Sequence, residues 1–112
     1  KERAMRRIAL FLILLPGLAA AGWVRLDEGG IDAALSGARL AYDNGVWQEF
    51  RASGRTLHNA GRDSWGYWET RGGCYCSQWP PADGWARYDV DLDGSRVRFV
   101  GDGYDVTEGR FD

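Results

Sequence analysis

Turn signals recur along this chain at Asn44-Gly45, Ser53-Gly54, Gly72-Gly73 and Asp93-Gly94, and short runs rich in aromatic and β-branched residues fill the intervals. Glycine and Asn/Asp reach the positive φ that tight hairpins demand, and such runs suit half-buried strands, so the spacing predicts an antiparallel meander. A meander of about six or seven strands in sequential order curls into a small barrel or half-barrel. One short helix is expected at Ile31 to Ser36, with Asp32 near its positive end and Gly37 placed to stop it. The fold class is therefore mainly β with one short N-terminal helix.

Several registers follow from side-chain pattern. Between Tyr88 and Val100, a turn at Asp93-Gly94 sets Asp91 opposite Arg96, Val90 opposite Val97 and Tyr88 opposite Phe99, with one face apolar and the other of alternating charge. A three-residue loop of Asp43, Asn44 and Gly45 pairs Arg39 with Glu49 and keeps Leu40, Tyr42, Val46 and Phe50 on one face. Ser53-Gly54 is expected to turn Phe50 back against Leu57. Across Gly72-Gly73, the strand Trp65 to Thr70 pairs with Cys74 to Trp79, which puts Trp68, Tyr75 and Trp79 on one face and Trp65, Tyr67, Glu69, Cys74, Cys76 and Gln78 on the other. Pro80-Pro81 through Gly84 is a stiff connection, and a last short strand is expected at Tyr104 to Val106.

The first residues read as an address. Met5, Arg6 and Arg7 supply a start and a basic region, Ile8 to Leu15 an unbroken apolar run, and Pro16-Gly17 the break before small residues at Ala19 and Ala21. These features predict a signal peptide over residues 1–21, with residues 1–4 as an upstream extension, and a single β domain over 22–112 in the periplasm or secreted. The apolar stretch contains a proline and falls short of the roughly 20 residues of a spanning helix, so no integral membrane span is expected after cleavage.

Beyond the leader the chain keeps ten arginines, no lysine and fifteen acidic residues, about −5 in formal charge. That balance opposes phosphate-backbone binding, so nucleic acid is excluded as the primary partner. All six tryptophans lie beyond the leader. Side chains this large give a domain of about 90 residues enough area to close a core.

No motif stands out as catalytic. Asp89 to Gly94 alternates acids and ends in glycine like the start of a calcium loop, but the twelfth position, where a bidentate acid belongs, is Val100, and a salt-bridged hairpin explains the same residues. Cys74 and Cys76 are the redox or disulfide candidates. They lie on one strand face in an oxidising compartment, and a bond between them requires a kink, because alternate strand residues stand about 6.6 Å apart where a disulfide prefers about 5.5 Å. Free thiols, an intermolecular disulfide and a metal pair completed by His58 are the other readings, the last short of a fourth ligand. His58, the sole histidine, reads as a strand residue in the run Thr56 to Ala60, and no Gly-x-Ser-x-Gly elbow accompanies it. Neither a cofactor nor a metal is called for.

The segments Ser53-Gly54-Arg55-Thr56-Leu57, Gly66-Tyr67-Trp68 and Tyr75-Cys76-Ser77-Gln78-Trp79-Pro80-Pro81, with Trp85 and Tyr88, resemble a set of small uncharacterised periplasmic or secreted β-domain proteins of alphaproteobacteria. The resemblance covers about a third of the chain and implies address and shape rather than an activity. In those domains the first cysteine is matched by another just after the tryptophan that follows the prolines; here Ala86 and Arg87 occupy that place. The function expected is a non-enzymatic binding module for a small molecule, a glycan or an envelope protein, with Trp65, Tyr67, Glu69 and Trp79 as the ligand-binding candidates. The alternatives are a proteinaceous inhibitor of an exported hydrolase, using the loop Ser77 to Gly84, and a small hydrolase using Glu69 or His58.

Overall fold

An edge strand leaves about half of its backbone groups unpaired, and this chain satisfies them by closing a sheet on itself. The computed structural model describes residues 22–112; the expected leader lies outside them. The described residues begin with β1 (Val24–Arg25) and α1 (Glu28–Leu35), and continue with β2 (Arg39–Ala41), β3 (Trp47–Phe50), β4 (Arg55–Asn59) and β5 (Asp63–Arg71). They end with β6 (Cys74–Gln78), β7 (Trp85–Asp93), β8 (Arg96–Val100) and β9 (Val106–Phe111). Strands β2 to β9 pair antiparallel in chain order, and β9 returns to β2 through Leu40↔Phe111 and Ala41↔Arg110, closing an eight-stranded barrel. The long β7 pairs on one edge first with β6 and then with β1, while its other edge takes β8.

The meander and barrel expectation holds, with nine strands where about six or seven were expected. The added β1 was not anticipated. The expected tail strand at Tyr104 to Val106 is displaced: β9 begins at Val106 and runs to Phe111, and without it β8 and β2 would both be open edges. The helix starts three residues earlier than expected, because the Asp27 carboxylate accepts the Gly30 backbone N–H at 2.8 Å and caps it. Gly37 ends it with φ +81°.

Two registers differ from expectation. The β7–β8 turn is Gly94-Ser95, so Asp91 faces Arg98 and Val90 faces Phe99. Gly94 holds φ +60° at the first central position, where a two-residue turn needs it, while Asp93 stays extended and pairs with Arg96. This slide by one turn position leaves the same residues inside. The β3–β4 difference changes faces: Thr56, not Leu57, lies opposite Phe50. Thr56 is tolerated inside because its hydroxyl donates to the Glu49 carbonyl at 2.7 Å and accepts from Gln48 Nε2 at 2.9 Å. The Asp43–Gly45 loop and the Gly72-Gly73 turn form as expected, with Arg39↔Glu49 and Arg71↔Cys74 in register.

α1 plugs one end of the barrel. Ile31 and Leu35 are fully buried against Leu40, Phe50, Trp68, Val90 and Val97. Burying each such side chain contributes about 1.5–3 kcal/mol. Phe50 meets Trp68 and Tyr75 edge-on at 5.9 and 5.8 Å, a geometry aromatic quadrupoles favour. The Trp68 indole N–H donates to the Arg51 carbonyl at 2.9 Å, tying this layer to the loop beneath it.

Candidate functional site

Barrel closure and the helical plug leave one end open. At that end lie the four connections β2–β3, β4–β5, β6–β7 and β8–β9. A cavity of about 410 Å³ opens between them, with Gln48 and Tyr75 at its floor and Tyr42, His58, Trp79 and Tyr88 along its walls. Phe99 separates it from the apolar layer, 5.0 Å from the Tyr75 ring.

The floor is a hydrogen-bonded layer. The Tyr42 hydroxyl donates to Gln48 Oε1 at 2.7 Å, Gln48 Nε2 donates to Thr56 and lies 3.5 Å from the Tyr75 hydroxyl, and Thr56 passes the chain to backbone. A network anchored in this way holds its rings still. Burial raises the Tyr42 phenol far above its ordinary range and pushes Tyr75 up to about 12, so both stay protonated at any physiological pH. Tyr88 is also raised, by burial first and then by the neighbouring Asp105 carboxylate.

His58 stands between Tyr42 and Trp79, with ring centroids 6.2 and 6.0 Å away. Burial lowers its pKa from the ordinary histidine value, so the ring is neutral at pH 7 and presents one donor and one acceptor. Neither ring nitrogen has a hydrogen-bond partner among the described residues. The Trp79 indole N–H donates to Ser77 Oγ at 3.2 Å, fixing the opposite wall.

Two glycines make this lining possible. A Cβ on Gly66 would lie 2.6 Å from Trp79 Cε3, and one on Gly109 would lie 2.9 Å from Tyr42 Cε1. The Trp79 and Tyr42 rings therefore rest on bare backbone.

Of the four ligand candidates read from sequence, only Trp79 lies at the cavity. Trp65, Tyr67 and Glu69 project from the outer wall of β5. Trp65 is 40 % exposed, with Arg51 and Arg55 guanidinium groups 5.0 and 4.9 Å from its ring; Tyr67 is 43 % exposed, 5.2 Å from Arg55; Glu69 pairs with Arg71. Cys74 and Cys76 share that wall as free, buried thiols. Arg87 Nη2 donates to Cys74 Sγ at 3.2 Å, and burial raises the Cys76 thiol.

Missed as ligand contacts were Tyr42, Gln48 and Tyr88, and also His58, which sequence had offered only to a hydrolase or a metal. For His58 the reason is specific: pairing Phe50 with Leu57 turns residue 58 outward, whereas Phe50↔Thr56 turns it inward. The only available signal was polar, a threonine with a possible partner in Gln48.

Among the described residues no group of three or more His, Cys, Asp or Glu is gathered as a metal ion would need, and no helix is long and apolar enough to cross a membrane. Comparison with protein families, curated proteins and solved structures finds no match.

Proposed function

We propose that this chain is an exported, non-enzymatic binding module that takes a small amphipathic molecule into the open end of its barrel. One observation carries the reading: a preformed aromatic cavity with a neutral imidazole, both of whose nitrogens are unengaged, on its wall and a protonated phenol at its floor. Sites of this make, mostly apolar with a few convergent polar groups, are where proteins hold small ligands. A flat apolar part packs between Trp79 and Tyr42, and a polar end bonds to His58 or to the Tyr75 hydroxyl. Covering about 100 Å² of apolar ligand surface contributes about 2.5 kcal/mol, and a cavity that is already formed has little ordering to do on binding.

Binding is favoured over catalysis because nothing orients His58 as a base. Its neighbours are two aromatic rings and, across the β3–β4 and β4–β5 ladders, Gln48 and Ser64; among the described residues no carboxylate bonds to the ring and no hydrogen bond joins it to the Ser64 hydroxyl. Export rests on the leader read over residues 1–21.

Native mass spectrometry of the protein recovered from a bacterial periplasm, alongside Trp79→Ala, tests this. A small added mass that leaves on denaturation and is absent from the variant is expected; the same added mass on both would remove the mouth as the site.

An inhibitor of an exported hydrolase is the second reading. It draws on the exposed connection between β6 and β7, braced by Gln78 Nε2 donating to the Asp83 carbonyl at 2.8 Å. A rigid protruding loop suits a wedge, and stable co-elution with a purified hydrolase, lost on replacing Pro81 to Asp83 by glycines, is the outcome it requires.

A further inference from the structure

Resting on the cavity as a binding site, we infer that its ligand is a small organic cation, an ammonium compound whose head group sits among the mouth aromatics. The charge distribution points there. The domain's ten arginines stay out of the cavity, and none of the lining residues is basic at neutral pH. His58, the one lining group able to become cationic, is half-buried between two rings.

The rim has the opposite sign. The four connections at the open end and their first flanking residue carry Asp43, Asp63, Asp83, Asp102 and Asp105 against Arg62 alone. Most of the domain's net negative charge is therefore gathered around one opening, while on the outer wall acids pair with arginines, as at Arg39–Glu49, Arg71–Glu69 and Arg98–Asp91. One of these rim acids, Asp43, lines the cavity, and the Asp105 carboxylate stands near the wall residue Tyr88, whose pKa it helps to raise. Glu108 also borders the cavity, but its carboxylate is held by Arg96 at 3.3 Å, which leaves Asp43 as the acid closest to an entering ligand.

Inside, the aromatic rings of Tyr42, Trp79 and Tyr88 line the space. Aromatic faces attract ammonium groups through their quadrupole, most strongly once water is excluded, and an acidic mouth concentrates cations before they enter. An anionic ligand would meet the rim carboxylates and find no basic partner within. A neutral one would leave the charge asymmetry without a use.

The test compares choline with its uncharged carbon isostere 3,3-dimethylbutan-1-ol and with butyrate, titrated into the exported protein and followed by calorimetry and by the NMR signals of the Trp79 indole and His58. Choline is expected to bind at least about tenfold more tightly than the isostere, to weaken severalfold on raising salt from about 20 to 300 mM, and to lose about threefold in Asp43→Asn, with isostere binding unmoved by either change. Equal affinity for the isostere, or tighter binding of butyrate, with Trp79 and His58 still responding, overturns the cation and leaves the cavity as a site. Silence of both residues toward all three probes overturns the cation and counts against the cavity with it.

Discussion

Gly66 and Trp79 act as one unit. The indole can lie in the mouth only because residue 66 has no side chain, and a methyl there would meet both the ring and the Gln78 carbonyl at 2.6 Å. Gly66→Ala is therefore expected to expel the ring, destabilise the fold by about 1–3 kcal/mol and reduce ligand affinity at least about tenfold; thermal unfolding and titration measure the two effects separately. Asp91 is the counterpart on the outer wall, 3 % exposed and held by Arg25 at 2.5 Å and Arg98 at 3.0 Å. Burial alone would raise its pKa, but the two arginines outweigh burial and hold it below the usual carboxylate value. Its stabilising contribution is thus complete above about pH 4, the unfolded value, and is lost as pH falls through the lower folded value. Asp91→Asn should cost about 1.5–3 kcal/mol at pH 7, and denaturant titrations of wild type and variant should converge as pH falls below about 4.

At the scale of elements, the short β1 does more than its two residues imply. Trp23, just before it, lies against Arg96 and Arg98 at 4.7 and 4.4 Å, and Arg25 reaches both Asp89 and Asp91, so this segment lies over the β7–β8 hairpin. Trp23→Ala is expected to speed amide exchange at Leu92 and Val97 while leaving Trp79 and His58 signals in place. The hairpin itself was legible from its alternation, because inward apolar and outward charged residues specify faces more firmly than a turn specifies position. Its turn was not, since Asp-Gly and Gly-Ser both fit two-residue turns. Gly94→Ala should cost about 1 kcal/mol in thermal unfolding, for the positive φ at that position. The β3–β4 register was illegible for a different reason: Leu57 is the better core residue by hydrophobicity, and hydrogen bonds to the Glu49 carbonyl and from Gln48 make threonine the inward one.

Across the whole molecule, a barrel could be anticipated from the recurring turns, but its closure could not. Phe111 and Arg110 look like an ordinary chain end until they are seen paired with Leu40 and Ala41, some seventy positions away. The candidate site was concealed by the same non-locality, since Tyr42, His58, Trp79 and Tyr88 come from four different strands or connections and meet only when the sheet is closed. The aromatic pattern drew attention instead to Trp65 and Tyr67, which stand together on β5 but face outward onto arginines. The most direct test of the central claim is therefore to locate a bound molecule: residue-resolved NMR of the protein during titration with a bacterial small-molecule extract. Shifts centred on the Trp79 indole, His58 and Tyr42, with Trp65 and Tyr67 unmoved, are the predicted result. Shifts centred on Trp65 and Tyr67, with the mouth silent, would contradict it and move the site to the outer wall.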